Sequence, residues 1–105
     1  MLHITLICVG KLKEDYLKNA ILEYSKRLSK YCILNIVELP DEKVPTVLNQ
    51  SEKIKIIQKE SNLIMNHIPE NSYVIALDLK GKQFSSEEFS QKIEKITFSH
   101  SHITF

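Results

Sequence analysis

The segment Gly10-Lys11-Leu12-Lys13 follows the first apolar run of the chain and carries two cations. If that run is a strand that leads into a helix, both ammonium groups lie beside free backbone amides, an arrangement that suits a phosphate. Lys11 and Lys13 are therefore candidate contacts for a phosphate-bearing ligand. The alternative is an ordinary solvated turn.

Three carboxylates come near the ends of predicted strands. Glu38 and Asp41 flank Pro40, and Asp78 lies near the end of a later apolar run. Paired carboxylates can act as general acid and base or bind Mg²⁺. Since no D-x-D or E-x-x-H spacing accompanies them, we interpret them as ordinary carboxylates at a sheet edge.

Histidine and cysteine give no metal-binding pattern. A strand would place His100 and His102 on one face, where they could bind a metal or titrate near neutral pH, but spacing supplies no third ligand. Cys8 and Cys32 lie within the apolar runs ICV and YCIL, and their separation fits no zinc site. We expect two reduced core cysteines and no bound metal.

Three tyrosines and three nearby cations have the residue types of an RNA-binding surface. They are Tyr16, Tyr24, Tyr31, Lys26, Arg27 and Lys30. Their spacing instead favours a helix with a core-facing tyrosine stripe and a solvated basic flank.

Composition narrows the class of protein. The chain has 105 residues, 43% of them hydrophobic, and a net charge of +1, so it suits one domain without a strong basic field. It has two glycines, Gly10 and Gly81, too few for a G-x-G-x-x-G or Walker loop. The start lacks the pattern of a secretion signal, and no apolar run approaches the ~18 residues of a membrane span. We expect a cytoplasmic protein with no membrane contact.

Hydrophobic periodicity predicts alternating strands and helices. The predicted strands are Leu2 to Val9, Cys32 to Leu39, Tyr73 to Leu79 and a start at Ser101 to Phe105. The predicted helices are Lys13 to Tyr31, Ser51 to about Ile68, and Ser85 to about Ile96. Ser51 is the predicted N-cap of the second helix, and Ser85 with Glu88 three residues later predicts a capping box for the third. Residues 41–50 form a loop long enough to suggest a function. The order βαβαβαβ predicts one α/β domain over residues 1–105, a three-layer sandwich with a mostly parallel sheet.

Several blocks, taken in order, match a known family. They are V-G-K-L-K-E-x-Y at Val9 to Tyr16, E-Y-x-K-R-L at Glu23 to Leu28, V-E-L-P-D-E-K at Val37 to Lys43, Lys59-Glu60, and A-L-D-L-K-G-K with S-S-E-E-F across Ala76 to Phe89. In order and spacing these blocks resemble the RlmH-type SPOUT methyltransferases, whose fold is an α/β knot. The resemblance covers the whole chain.

The resemblance implies a function. Members of this family are bacterial homodimers that use S-adenosylmethionine to methylate N3 of a pseudouridine in large-subunit ribosomal RNA, acting on the assembled ribosome. Leu77 matches the family leucine that contacts the donor near its adenosine. The resemblance assigns no catalytic residue and no metal.

In the family, the fourth strand continues into a G-G-x-x-G loop and a C-terminal knot, which supply most of the donor site. This chain ends at Phe105, ahead of those blocks. We therefore expect a domain that is incomplete at its C-terminus, lacks the knot, and is inactive by itself. The alternative is a non-catalytic RNA- or ribosome-binding fragment that uses the Lys11 and Lys13 edge without binding the methyl donor.

Overall fold

The computed structural model describes residues 1–42, 47 and 49–105. Its elements are β1 (Leu2–Val9), α1 (Asp15–Leu28), β2 (Cys32–Leu39), α2 (Gln50–Asn66), β3 (Tyr73–Val74), α3 (Ser86–Thr97) and β4 (His102–Thr104). The predicted order of strands and helices is confirmed. Residues 43–46 and 48 of the predicted loop lie outside the described residues.

The strands form a parallel sheet in the order β2-β1-β4-β3. β1 pairs along its whole length with β2, from Leu2 opposite Cys32 to Val9 opposite Leu39. β4 lies between β1 and β3, with Ile103 opposite Ile4 on one side and Tyr73 on the other. The predicted α/β architecture with a parallel sheet is thus confirmed.

The most buried side chains lie on the central strands. Ile103 is fully buried, and Thr5 and Thr104 are nearly so. Both hydroxyls are hydrogen-bonded: Thr5 Oγ1 lies 2.8 Å from His102 Nε2, and Thr104 Oγ1 lies 2.8 Å from Ser72 Oγ. Side-chain hydrogen bonds therefore reinforce the backbone ladder where the sheet excludes water.

The predicted core-facing tyrosine stripe is wrong for this structure. Tyr16, Tyr24 and Tyr31 are 70%, 61% and 76% exposed, and α1 has no buried residue. The apolar residues of α2 are similarly open, with Ile57 54% exposed. Amphipathic spacing identifies an apolar face of a helix, but it does not determine whether another element covers that face.

The third strand is shorter than predicted. β3 contains Tyr73 and Val74 rather than the whole segment to Leu79. The Ile75 N–H adds one more bond to the Thr104 carbonyl, at 2.8 Å, and a turn follows at Lys80-Gly81. β3 pairs only with β4, and two residues of each strand are opposite one another. The rest of the predicted strand, up to Leu79, therefore does not belong to the sheet.

The helix boundaries also differ by a few residues. α2 begins after Asn49, whose Oδ1 accepts the Glu52 N–H at 2.8 Å, and not after the predicted cap Ser51. Asparagine caps a helix as well as serine does, so composition alone could not choose between them. Among the helices of the described residues, none is long and apolar enough to cross a membrane.

The predicted capping box at the start of α3 is confirmed. Ser85 Oγ accepts the Glu88 N–H at 3.1 Å, and Glu88 Oε1 accepts the Ser85 N–H at 3.0 Å. The hydrogen bond from the Ser85 N–H is the main cause of the lowered pKa of Glu88, followed by the hydrogen bond with the Ser85 side chain. Desolvation opposes them, and the nearby Lys82 charge makes the smallest contribution, which lowers the pKa. Because the folded pKa is below 4.5, Glu88 stabilises the fold above that pH, and its contribution disappears as the pH falls through the folded pKa.

We expect Ser85→Ala to lower the free energy of unfolding by about 1 kcal/mol, because the helix loses its N-cap acceptor. The pKa of Glu88 should then rise towards its ordinary value. Urea unfolding and an NMR titration of the Glu88 carboxyl measure the two effects. The control is Ser90→Ala at an exposed position of the same helix, which should leave the Glu88 pKa unchanged and should not lower the stability, since alanine favours a helix interior. An unchanged Glu88 titration in Ser85→Ala would contradict the role given to the box.

Candidate functional site

The carboxyl ends of all four strands meet at one edge of the sheet, where ligands bind in open α/β folds. At this edge β1 ends in Gly10, whose φ is +96°. The Gly10 N–H donates to the Leu39 carbonyl at 2.7 Å, so the first residue after β1 is still attached to the end of β2. A positive φ is readily adopted by glycine, and it turns the chain out of the sheet towards Lys11.

Leu77 lies at the same edge, in the segment that follows β3. Its side chain is 76% exposed and borders two apolar concavities. One, of about 270 Å³, lies between the sheet and the end of α2, against Ile64 and Ile68. The other, of about 170 Å³, is lined by Phe84 and Phe89 at the start of α3. Leu77, which the resemblance implies as a contact of the methyl donor, therefore lies between two open apolar surfaces.

The turn after Leu77 is held by hydrogen bonds to Asp78. Its Oδ1 accepts the Lys80 N–H at 2.9 Å, and its carbonyl accepts the Gly81 N–H at 2.9 Å. A Cβ at position 81 would lie 3.0 Å from that carbonyl oxygen, which explains the glycine. The turn brings Lys82 back towards α3.

A larger cavity, of about 430 Å³, lies at the end of β1 under α1. Its walls are apolar, among them Ile21 and Ile36, with Lys11 and Glu38 as its charged lining residues. Glu38 Oε2 also accepts the Leu12 N–H at 3.4 Å. The structure thus brings Glu38 to the Lys11 segment, while Lys13 remains exposed beside it.

Lys11 and Leu77 follow strands that are two positions apart in the sheet, because β4 lies between β1 and β3. Strand spacing places those ends roughly 10 Å apart. Lys11 lines the 430 Å³ cavity and Leu77 the other two concavities. The candidate phosphate contacts and the candidate donor contact therefore share an edge but not a cavity.

The three candidate carboxylates do not form a metal site. Glu38 lines the Lys11 cavity, whereas Asp78 lines the smaller concavity beside Leu77. Within residues 1–42, 47 and 49–105, no three His, Cys, Asp or Glu side chains are grouped closely enough to hold a metal ion.

The two C-terminal histidines do not share a strand face, because His100 precedes β4. The His102 ring stacks on His3 with centroids 5.8 Å apart, whereas His100 meets the edge of the Tyr73 ring at 5.4 Å. His100 Nδ1 also lies 2.7 Å from Ser99 Oγ. Since His102 begins β4, the histidines lie at the amino edge of the parallel sheet, opposite the candidate site.

The two cysteines differ in environment. Cys32 is buried, as predicted, and its thiol donates to the Leu28 carbonyl at 3.6 Å. Cys8 is half-buried and lines the Lys11 cavity. Both are free thiols.

One cationic cluster was missed by reasoning from the sequence. Lys82 Nζ lies 5.4 Å and Lys92 Nζ 5.8 Å from the centre of the Phe84 ring. The pattern K-x-F, followed on the next helix by lysines three residues apart at positions 92 and 95, is the feature that could have indicated it.

Comparison with known proteins gives the family. A family model described as "Predicted SPOUT methyltransferase" matches residues 2–105. A Clostridium perfringens (strain SM101) protein named "Ribosomal RNA large subunit methyltransferase H 1" is 54% identical over 105 residues, which cover 99% of this chain and 66% of the relative. Proteins named "Ribosomal RNA large subunit methyltransferase H" from Clostridium botulinum (strain 657) and Clostridium novyi (strain NT) are 60% and 61% identical over 93 and 92 residues, 89% and 88% of this chain.

The chain spans 66% of the length of the first relative and 58% of the other two. The family model nevertheless matches nearly every residue given, and the parallel α/β sheet agrees with it. The chain belongs to the SPOUT methyltransferase family and, within it, to the RlmH type.

Proposed function

We propose that this protein takes part in transferring a methyl group from S-adenosylmethionine to N3 of a pseudouridine in large-subunit ribosomal RNA, on the assembled ribosome in the cytoplasm. The observation that carries this proposal is the 54% identity, over 99% of the chain, to a protein named as a ribosomal RNA large subunit methyltransferase. The family gives the reaction class, which is methyl transfer. The identities of the modified nucleotide and of the methyl donor are the further parts of this proposal.

The residues at the carboxyl edge fit one side of a donor site. Leu77 is exposed between two apolar concavities, and an adenine ring is a flat apolar surface that such a side chain can cover. The donor, when bound, supplies a methyl group that is already activated by its sulfonium. The contribution of this chain is therefore to position the reactants, a major source of rate when the leaving group is good.

The described residues provide only part of such a site. Each concavity beside Leu77, at about 270 and 170 Å³, is smaller than the roughly 300–1,000 Å³ typical of ligand pockets. Leu77 is also 76% exposed, so few neighbours surround it. We propose that the 105 residues by themselves bind the donor weakly and do not transfer methyl groups.

Lys11 and Lys13 are proposed as RNA contacts at the other part of the edge. Both are exposed after β1 and lie apart from Leu77. That separation supports a second candidate function, a module that binds RNA or the ribosome without binding the donor. The exposed aromatic and apolar side chains of α1, including Tyr16 and Leu22, support the proposal of a homodimer.

Deletion of the gene from the source organism tests the reaction. We expect 3-methylpseudouridine to disappear from nuclease-digested large-subunit ribosomal RNA, as measured by liquid chromatography and mass spectrometry, and to return when the gene is restored. Other modified nucleosides in the same digest serve as the internal control. Undiminished 3-methylpseudouridine after deletion would reject the proposed reaction.

Calorimetric titration of the 105-residue chain with S-adenosylmethionine tests whether these residues bind the donor by themselves. We expect no micromolar binding, since the concavities beside Leu77 are open. Micromolar binding to a homogeneous sample would show that the described residues form a sufficient donor site by themselves.

A further inference from the structure

We propose that Lys82, Lys92 and Lys95, arranged around Phe84, form a surface that binds the phosphodiester backbone of the RNA substrate beside Leu77. We call these four residues the Phe84 surface. The inference rests on the proposed function, because it takes RNA as the substrate. It assigns RNA binding to a part of the sheet edge that is distinct from Lys11 and Lys13.

Two ammonium groups lie near the Phe84 ring, on the lining of one groove. Lys82 Nζ and Lys92 Nζ lie 5.4 and 5.8 Å from its centroid, within the ~6 Å range of cation–π attraction. The ring face attracts each cation, but the two like charges repel one another. An anion in the groove offsets this repulsion and can form charge-assisted hydrogen bonds with the lysines, so the pair is suited to phosphate groups.

The Phe84 surface forms the wall of a groove of about 340 Å³ along α3. Its charged lining residues are three lysines and one glutamate, Glu88. The Glu88 carboxylate accepts the Ser85 backbone N–H within the capping box, so one of its oxygens is already occupied. Three lysines against one carboxylate leave the groove with an excess of positive charge.

Spacing along α3 favours an extended anion. Lys92 and Lys95 are three residues apart on the helix, so they share a face and are separated by about one turn. Lys82 adds a third cation from the turn before the helix. Three cations spread along one groove are better matched by successive phosphates of a strand than by a single small anion.

The position of the groove relates it to the candidate donor contact. Lys82, Phe84 and Lys92 line both the groove and the 170 Å³ concavity that Leu77 borders. Asp78 is the acidic residue of that concavity, and its carboxylate accepts the Lys80 N–H. An RNA strand held along the groove therefore passes directly beside Leu77, as a substrate must if its base is to reach a donor there.

The test uses the 105-residue chain and a fluorescein-labelled single-stranded polyuridylate, with binding followed by fluorescence anisotropy. At about 0.1 M salt we expect Lys82→Gln with Lys92→Gln to weaken binding about tenfold. The slope of log K against log salt concentration should fall by roughly 1.4, the value for two lost contacts to single-stranded RNA. Phe84→Leu, which keeps an apolar side chain but removes the ring, should give a smaller loss in the same direction.

The matched control is Lys53→Gln with Lys55→Gln, which removes the same charge from two exposed positions of α2 and should leave affinity and slope near the parent values. Circular dichroism checks that every variant is folded. Equal losses in both double variants, or no loss in the Lys82 and Lys92 variant, would overturn the proposal. An absence of RNA binding by the parent chain would also overturn it.

Dextran sulfate provides the remaining comparison. If it binds as tightly as polyuridylate and shows the same lysine dependence, the Phe84 surface is a general polyanion site and its assignment to RNA is wrong. The gene-deletion experiment separates this inference from the proposed function. If gene deletion removes 3-methylpseudouridine but the lysine substitutions do not change RNA binding, only the Phe84 surface is rejected. If 3-methylpseudouridine remains after deletion but RNA binding depends on the lysines, only the proposed reaction is rejected.

Discussion

Ile103→Ala is expected to lower the free energy of unfolding by about 2–5 kcal/mol, because it removes a buried side chain and leaves a cavity. Ile103 is 0% exposed and lies on β4, between Ile4 of β1 and Tyr73 of β3. Domains of this size are stable by about 5–15 kcal/mol, so the change removes a large share of the total.

Urea unfolding followed by circular dichroism measures this loss. The matched control is Leu79→Ala, since Leu79 is fully exposed in the turn after β3 and its truncation should change the stability by less than about 0.5 kcal/mol. Similar losses for the two variants would mean that β4 is not the centre of the folded sheet. A midpoint that shifts with an unchanged urea slope would indicate that the folded state is kept.

Gly10→Ala is expected to lower the free energy of unfolding by about 1–2 kcal/mol, because a side chain at positive φ meets its own backbone. The φ of Gly10 is +96°, and beyond residue 10 and its two chain neighbours a Cβ there would have no heavy atom within 4 Å. The loss is therefore one of conformation and not of space. The Gly10 N–H bond to the Leu39 carbonyl prevents the segment from relaxing freely to another φ.

Two further substitutions at the same position separate these causes. Gly10→Val should lower stability more than alanine, since a β-branched residue strongly disfavours positive φ, whereas Gly10→Asn should lower it less. Thermal or urea unfolding of the three variants gives the order. Equal losses for asparagine and valine would show that packing, and not the backbone conformation, decides the preference for glycine.

Features that depend on neighbouring residues were predicted well. The bounds of β1 and β2 match the apolar, β-branched runs that begin at Leu2 and Cys32. The α3 capping box was predicted from Ser85 and Glu88, which lie three residues apart. Such features are local, because a strand run or a cap is formed by residues that lie within a few positions of each other in the chain.

Long-range features were predicted less well. The segment from Tyr73 to Leu79 has a strand-like composition, but β4 pairs with only its first two residues. The spacing of Tyr16 and Tyr24 indicates an apolar helix face, yet both side chains are mostly exposed. In each case the outcome depends on which partner element lies alongside, and no pattern within the segment contains that information.

The sequence by itself determined the order of strands and helices, the parallel α/β class and, through its ordered blocks, the RlmH type. The tertiary structure decided the strand order β2-β1-β4-β3, which separates Lys11 from Leu77, and it placed Lys82 and Lys92 around the Phe84 ring. The physical reason is that local conformation follows from neighbouring residues, whereas a binding surface is formed by packing between segments that are distant in the chain.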